Sequence, residues 1–229
     1  MNDLGFRANG LPSAENPPGP ADGVARSDGL LGSTALVLRD PFWASARFPA
    51  PLRVDLGAGQ SKKEGFIGLD RAPVTDIQHD LLSFPWPFAD DSVAELHASH
   101  ILEHFWGEDQ ARILEEAYRV LAWEAGIMII VPWWNSARMW QDPTHKAPFP
   151  AEKVYYFNKS WRTVNKLDHY GYKSDFDLVG INYQVVDPNP QSGVRGYSAA
   201  SPQAQAFAVY HYANVVGDLT VVLKKVKRV

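Results

Sequence analysis

The most constraining feature of this sequence is an uninterrupted apolar run, Ile127-Met128-Ile129-Ile130-Val131, which follows Gly126 and is stopped by Pro132. A strand with one face in water alternates apolar and polar side chains, whereas a strand buried on both faces is apolar throughout. The run therefore predicts a central strand of a parallel sheet, covered on both faces.

Other segments of the chain fit the same kind of sheet. We predict further strands at 52–56, 66–69, 74–77, 94–98, 176–186 and 219–226. A helix is predicted at 108–123, where acidic residues occupy the first turn and apolar residues recur at helical spacing, and another at 151–157. The stretch 206–216 fits a helix or a strand. Strands that alternate with helices predict an α/β domain with an open, mostly parallel, twisted sheet and helices on both faces.

Chain length and composition predict a single folded domain with a flexible leader. The 229 residues are 45% hydrophobic and 21% charged, which is close to the average for globular proteins. Residues 1–33 hold ten glycines and prolines with little aliphatic content between them, so we predict a flexible N-terminal leader there. Residues 34–229 then form one domain, with an insertion at 187–218 before the last strand.

Composition and charge exclude several functions. The chain has no cysteine, which excludes disulfides, thiolate metal sites and a cysteine nucleophile. A net charge of −4 argues against a nucleic-acid partner. No segment has the roughly 18 to 20 uncharged apolar residues of a membrane span, and no signal peptide is evident, so we expect a cytoplasmic protein. The basic run 224–228 is expected to be a solvated strand edge rather than a phosphate contact.

Glycines and acidic residues mark the ends of the first predicted strands. In open α/β sheets, ligands bind at the carboxyl ends of the strands. The first strand leads into Gly57-Ala58-Gly59, where the backbone can turn tightly against a ligand. The second strand ends at Asp70 and the third leads to Asp80, and a carboxylate at such a place can accept hydrogen bonds from ribose hydroxyls. Each aspartate alone is better explained as a turn or capping residue, but together with the glycine turn they predict a nucleoside pocket.

The order of these motifs resembles that of class I S-adenosylmethionine-dependent methyltransferases. Val54 to Gly59 is similar to their first motif and Gly65 to Asp70 to their second, while His79-Asp80-Leu81 is similar to the end of their third strand. The run Ala98-Ser99-His100-Ile101-Leu102-Glu103-His104 resembles the fourth-strand signature of the subgroup that acts on small molecules and sugars. This resemblance extends from about Leu52 to Pro150.

The resemblance implies a Rossmann-like methyltransferase fold with an antiparallel last strand, and S-adenosylmethionine as cofactor. It also implies a cofactor-binding set in which the glycine turn passes the methionine part, one aspartate holds the ribose, and Ser99 and His100 border the transferred methyl group. The implied cofactor-binding residues are Asp55, Gly57, Gly59, Asp70 (ribose), Asp80 and Leu81 (adenine), and Ser99.

Two features depart from the family pattern. Only 11 positions separate Gly59 from Asp70, too few for the usual crossover helix, which with its loops needs about a dozen residues or more. The first helix is therefore expected to be vestigial, a mark of a short-first-loop subgroup. The second departure is Trp123-Glu124-Ala125-Gly126, where the family usually has a Pro-Gly-Gly turn.

Three histidines are candidates for the general base that transfer to a hydroxyl would use, because an imidazole titrates near neutrality. They are His100, His104 and His145. His104 follows His100 by four positions and is expected on the same side of the following turn; a packing or capping role suits it better than catalysis, whereas His145 lies where these enzymes receive substrate. Asp142, His145 and His100 are of types that bind metals, but they lack a tight ligand spacing, so no metal is predicted.

The expected acceptor is an oxygen, or less favourably a nitrogen, on a sugar, glycan or small metabolite. Trp133, Trp134 and Trp140 could stack on such a molecule or serve ordinary packing. Oligomeric state stays open. One alternative is a nicotinamide-dependent oxidoreductase, disfavoured because Lys62 stands where G-x-G-x-x-G has its third glycine. The other is a catalytically inactive methyltransferase-like binding or structural module.

Overall fold

A seven-stranded sheet forms the centre of the protein. The structure is a computed structural model that describes residues 43–48, 50–73, 75–185 and 201–227. The predicted leader and residues 187–200 of the predicted insertion lie outside the described residues. The strands are β1 (Leu52–Leu56), β2 (Ile67–Asp70), β3 (Ile77–Gln78), β4 (Val93–Ser99), β5 (Leu121–Pro132), β6 (Phe176–Val185) and β7 (Val216–Lys225).

The strand order confirms the predicted fold class. The order is β3-β2-β1-β4-β5-β7-β6, and the pairs from β3 through β5 are all parallel. β7 is antiparallel to both of its neighbours, β5 and β6, so it alone runs against the other six strands. The chain leaves β1 toward one edge of the sheet and returns at β4 toward the other, so strand order reverses between β1 and β4. This is the Rossmann-like methyltransferase fold that the resemblance implied.

The helices are short, apart from one. They are α1 (Trp43–Arg47), α2 (Gly107–Val120), α3 (Ala137–Trp140), α4 (Lys159–Val164) and α5 (Pro202–His211). The segment 151–157 is helical as predicted, but of the tighter 3-10 type. The ambiguous stretch 206–216 divides, because α5 ends at His211 and β7 begins at Val216. α2 packs one apolar face into the core, where Ile113, Leu114 and Ala117 are fully buried.

β5 is longer than the strand that the apolar run predicts. α2 ends at Val120, not Trp123, and the next residue, Leu121, is already extended. Gly126 lies where β7 comes closest, since a Cβ there would be 2.8 Å from the main-chain oxygen of Leu223. Within the run, the odd-numbered side chains Ile127, Ile129 and Val131 are buried, whereas Met128 and Ile130 are only half-buried. The predicted burial on both faces is therefore complete on only one face of β5.

The connection from β1 to β2 contains turns and no helix, as its length predicted; all of its residues are described. Three aspartates hold it in place, each through a hydrogen bond. Asp55 accepts from the main-chain N of Lys63 at 2.8 Å, and Asp70 accepts from that of Gly59 at 2.9 Å. Asp76 accepts from Lys62 Nζ at 2.7 Å and from the main-chain N of Gly68 at 2.8 Å. Carboxylates thus do here what a packed helix does in longer connections.

The basic run near residue 224 is only partly a solvated edge, which corrects the prediction. Lys224 is exposed and pairs with Glu124 at 2.6 Å. The side chain of Lys225 is 3% exposed, and its Nζ donates to Asp91 Oδ1 and to the main-chain oxygens of Tyr118 and Leu121. A lysine can be buried in this way because all three of its donors have acceptors.

No helix among the described residues is both long enough and apolar enough to cross a membrane.

Candidate active site

A cavity of about 460 Å³ opens at the carboxyl ends of four neighbouring strands. Residues that directly follow β1, β3 and β4 line it, together with the last residue of β2. This is the place where strand order reverses and where open α/β sheets bind ligands. The lining residues are Gly57, Asp70, Arg71, Asp80, Leu81, Leu82, Ile101, His104, Phe105, Thr144 and Lys146.

Gly57 has to be a glycine for two independent reasons. Its φ of +66° lies in the left-handed region, which side chains disfavour. A Cβ at this position would also be 2.3 Å from Ile101 Cγ1, so the turn after β1 and the residue after β4 are in direct contact. The Gly57 main-chain N donates to Leu69 O at 2.8 Å, which holds the turn against β2. The predicted role of this glycine as a close backbone approach fits its place on the cavity wall.

Asp70 and Asp80 both face the cavity, as predicted. Each oxygen of Asp70 accepts one main-chain hydrogen bond, from Gly59 and from Ala72. A carboxylate oxygen has a second lone pair, so Asp70 can still accept from two hydroxyls. Asp80 Oδ1 accepts from the main-chain N of Leu82 at 2.9 Å, and Leu81 beside it is buried.

Five of the predicted residues do not line the cavity, namely His145, which is described below, and Asp55, Gly59, Ser99 and His100. Asp55 is buried, and its second oxygen accepts from His97 Nδ1 at 2.7 Å, so the carboxylate is used inside the protein. Gly59 contributes its main-chain N to Asp70 and adopts φ +51°, which makes it part of the turn. Ser99, the last residue of β4, pairs with Ile130 in the sheet, and His100 points toward β7. These residues shape the turn and strand ends around the cavity.

His100 lies between two carboxylates, those of Glu103 and Asp218. Its Nδ1 lies 3.4 Å from Glu103 Oε1, and its Nε2 lies 3.8 Å from Asp218 Oδ2. The interaction with Glu103 is the main cause that raises the pKa of His100 above its ordinary value; burial opposes it and Asp218 adds to it. Arg138 also contacts Asp218, at 2.6 Å. The expectation that His100 and His104 lie on the same side is wrong. His100 precedes the 3-10 turn Leu102–His104 with a φ of +53° and contacts Asp218 of β7, whereas His104 lines the cavity.

His104 lines the cavity and is oriented by a chain of hydrogen bonds. The Thr144 hydroxyl donates to Asp142 Oδ1 at 2.7 Å, so its single proton is used there. His104 Nδ1, 3.0 Å from Thr144 Oγ1, must then carry the hydrogen and donate to it. This tautomer leaves Nε2 as the basic nitrogen of the ring. Hydrogen bonds from the Thr144 side chain and main chain lower the pKa of Asp142, so the chain ends on a carboxylate.

His145 lies behind the cavity wall rather than on it. Its side chain is 9% exposed, and its Nδ1 donates to Met139 O at 2.8 Å. Its Nε2 is 3.9 Å from Glu103 Oε1 and 3.8 Å from Asp142 Oδ2. The ring packs edge-on against His104 at 4.8 Å between centroids. The prediction favoured a site role for His145 and a packing role for His104, but His104 lines the cavity and His145 does not.

Sequence reasoning missed several residues of this region. Ile101, Phe105 and Leu82 supply apolar wall, and Thr144 and Lys146 supply polar groups. Glu103 is fully buried beside the histidines, and it was not among the predicted site residues. The available signal is the pair Asp142 and Thr144, since a Thr two positions after an Asp can donate its hydroxyl hydrogen to the carboxylate and accept from a third group.

None of the three tryptophans considered for stacking lines the cavity. Trp133 is buried and packs against Tyr183 and Tyr210, so it belongs to the core. Trp134 and Trp140 are exposed, and Trp140 Nε1 donates to Trp134 O.

A larger and shallower depression, of about 910 Å³, lies beside α2 at the opposite ends of the strands. It is bordered by Asp91, which precedes β4, and by Trp123 near the start of β5. Ligands of open α/β sheets bind at the carboxyl ends, so the smaller cavity is the candidate active site.

A scan of protein-family models finds no match to this chain, and a search of curated proteins finds none either. Solved structures do match. A SAM-dependent methyltransferase from Archaeoglobus fulgidus is 18% identical with a TM-score of 0.49, over 84% of this chain and 100% of that chain. One from Methanosarcina mazei is 13% identical with a TM-score of 0.45, over 77% and 92%. One from Mesorhizobium loti is 16% identical with a TM-score of 0.39, over 82% and 100%. Such likeness concerns the fold, so activity has to be argued from the site.

Proposed function

We propose that this protein transfers a methyl group from S-adenosylmethionine to an oxygen of a small-molecule or glycan acceptor. The observation that carries this proposal is the convergence of Gly57, Asp70 and Asp80 on one cavity at the strand ends. These residues are far apart in sequence, and only the sheet brings them together.

The cavity suits a nucleoside with a short charged tail. Its volume falls within the roughly 300 to 1,000 Å³ of small-molecule sites. Asp70 has acceptor capacity left for the two ribose hydroxyls, and Leu81 and Leu82 offer apolar surface to a flat base. The absent Cβ of Gly57 lets the Ile101 side chain pack directly against the turn after β1, and both residues line the cavity. Asp55 and Gly59 support this set by holding the turn. They therefore position the cofactor-binding residues, whereas direct contact with the cofactor was expected of them from the sequence.

In this proposal the acceptor binds beside His104, Thr144 and Lys146, which supply polar groups to the cavity wall. His104 Nε2 is available to take the hydroxyl proton, since Nδ1 is committed to Thr144. When bound, S-adenosylmethionine supplies a methyl group whose carbon–sulfur bond breaks with both electrons going to sulfur while the acceptor oxygen bonds to that carbon. The protein's task is to align the acceptor oxygen and to exclude water.

Ligand-dependent thermal unfolding tests the cofactor assignment. S-adenosylhomocysteine at about 100 times its Kd should add about 2.7 kcal/mol and raise the midpoint by about 5 to 10 °C, while NADH should leave it unchanged. Asp70→Asn is preferable to Asp70→Ala, because the carboxylate also holds Gly59 and Ala72. Asp70→Asn should remove most of the rise in the unfolding midpoint that S-adenosylhomocysteine causes.

Asp90→Asn serves as the matched control, since Asp90 is exposed at the opposite strand ends and pairs with Arg119. It should keep the full shift. A wild-type protein without any shift at millimolar S-adenosylhomocysteine would favour the binding or structural module. A shift with NADH alone would overturn the cofactor. The oxidoreductase is already disfavoured, because residues 57–66, all described, form no helix whose N-terminus could meet a pyrophosphate.

A further inference from the structure

Glu103 is a buried carboxylate that lacks what such a group needs. Its residue is 0% exposed, and neither carboxylate oxygen has a hydrogen-bond partner among the described residues. A buried charge is expensive unless it is paired, hydrogen-bonded or bound to a metal. Its main-chain oxygen, by contrast, accepts from the main-chain N of Lys146 and of Ala147. The backbone here is therefore anchored, while the carboxylate makes no hydrogen bond among the described residues and has only longer contacts, at 3.4 Å to His100 Nδ1 and 3.9 Å to His145 Nε2.

The two imidazoles near Glu103 each keep one basic nitrogen. His104 donates through Nδ1 to Thr144 and His145 donates through Nδ1 to Met139 O, so Nε2 carries the lone pair in both rings. A histidine that binds a metal commonly donates its other ring N–H to a carbonyl or to a polar chain ending on a carboxylate. Both histidines have this arrangement here.

We propose that Glu103, His104 and His145 bind a divalent transition-metal ion at the inner edge of the cavity. One ligand atom from each of the three lies within 4.8 Å of the others. Two imidazoles and one carboxylate form a donor set that holds catalytic zinc or non-haem iron(II), with positions left open for substrate. Hard cations such as Mg²⁺ prefer sites made of oxygen.

The present spacing is somewhat wider than that around a bound ion. Zinc ligands at about 2.0 to 2.1 Å in a tetrahedron stand about 3.4 Å apart, whereas His145 Nε2 and Glu103 Oε1 are 3.9 Å apart. The three ligand atoms lie within 4.8 Å of one another, so side-chain rotations that draw them together by up to about 1.4 Å would close the site. Asp142 Oδ2, 3.8 Å from His145 Nε2 on the solvent side, adds negative charge without being needed as a ligand.

The competing explanation of Glu103 is a charge pair with His100. Its Nδ1 is 3.4 Å from Glu103 Oε1, so a protonated His100 could supply the missing positive charge alone. That explanation accounts for Glu103 but not for the two outward Nε2 lone pairs. It also predicts no metal binding, which makes the two distinguishable.

The consequence for chemistry, which rests on the proposed function, concerns the acceptor. His104 and Thr144 line the cavity, so an ion at this triad would be open to the acceptor side. Such an ion would bind the acceptor oxygen and lower the pKa of its hydroxyl, and His104 would then act as a ligand rather than as a base. Binding of the ion itself does not depend on S-adenosylmethionine.

The test is a titration of the chelator-treated full chain with Co²⁺, followed by visible d–d absorption, with competition by Zn²⁺ and Fe²⁺ and with Mg²⁺ as a control. We expect one equivalent of Co²⁺ with a low-symmetry spectrum that Zn²⁺ or Fe²⁺ abolishes and Mg²⁺ does not. Glu103→Gln keeps the shape of the side chain and should weaken binding by about 100-fold or more, at least as much as loss of an outer-shell partner. His169→Gln, at an exposed histidine away from the cavity, should leave binding unchanged.

Folding of each variant is checked by circular dichroism, and His145→Gln replaces Glu103→Gln should the latter be unfolded. The proposal is overturned by a wild-type protein without a Co²⁺ spectrum, or by binding that survives both variants. Parallel S-adenosylhomocysteine shifts separate the two proposals. Metal binding without a cofactor shift would sink the proposed function alone, and a cofactor shift without metal binding would sink the metal site alone.

Discussion

Gly57 and Ile101 meet across the point where strand order reverses, with only 2.3 Å between Ile101 Cγ1 and the place of a Cβ on Gly57. The turn after β1 and the loop after β4 therefore act as one wall of the cavity. The contact joins the turn after β1 to the segment that holds Glu103 and His104. A substitution at Gly57 should therefore perturb both segments.

Gly57→Ala should destabilise the protein and impair ligand binding together. The left-handed φ costs an alanine about 1 to 2 kcal/mol, and overpacking against Ile101 adds about 1 to 3 kcal/mol. Gly171→Ala is the matched control, because its φ is +75° but a Cβ there meets nothing within 4 Å. Urea unfolding should show about 1 to 2 kcal/mol for the control and a larger loss for Gly57→Ala. Equal losses of unfolding free energy in the two variants would show that the Ile101 side chain can move aside without an energetic penalty.

Asp76, one of the aspartates that hold the β1–β2 connection, should make the stability of the protein depend on pH in the acidic range. Burial alone would raise the pKa of Asp76, but hydrogen bonds from Lys62 and Gly68 outweigh it, and the pKa is lowered below 3.8. A carboxyl with a lowered pKa in the folded state contributes stability above its unfolded value, and that contribution disappears as the pH falls through the folded value.

The difference in unfolding free energy between wild type and Asp76→Asn should thus be full at pH 7 and shrink below about pH 3.8. Lys62→Met is the companion variant, since it removes the charged donor and leaves the Gly68 main-chain donor in place. In the Lys62→Met background, replacing Asp76 with Asn should still change the unfolding free energy in a pH-dependent way, but by less than in the wild-type background. A difference that stays constant with pH would contradict the assignment.

Adjacent lysines near the end of β7 should differ sharply in their contribution to stability. Lys225→Met removes the charged donor from Asp91 and from two main-chain oxygens, which should cost about 2 to 4 kcal/mol. Lys224→Met removes only an exposed pair with Glu124 and should give no resolvable change. Chemical denaturation of both variants at one pH checks this. Similar values for the two would show that burial of Lys225 is energetically unimportant.

The cavity residues that follow directly from the strand pattern could be predicted from the sequence. Those that are positioned by contacts between distant parts of the chain could not. Gly57, Asp70 and Asp80 follow strands whose apolar runs are evident, and parallel strands bring their carboxyl ends to one edge. The choice between His104 and His145 depends on the long connection after β5, which has no periodicity. Glu103 is buried because Lys146 and Ala147 hydrogen-bond to its backbone from 43 and 44 positions away along the chain. No local pattern carries that information.

The chain from Asp142 through Thr144 to His104 should determine which nitrogen of His104 is protonated. With Thr144 donating to Asp142 and accepting from Nδ1, the neutral ring should carry its hydrogen on Nδ1. Thr144→Val removes the acceptor while keeping the shape, so the ring should become a mixture of both tautomers. Long-range ¹⁵N–¹H correlation spectra of the metal-free protein read this directly, and Thr144→Ser should restore the wild-type pattern. S-adenosylhomocysteine binding should be retained in both variants, because Asp70 and Asp80 are untouched. A Thr144→Val spectrum identical to that of the wild type would show that other contacts orient His104.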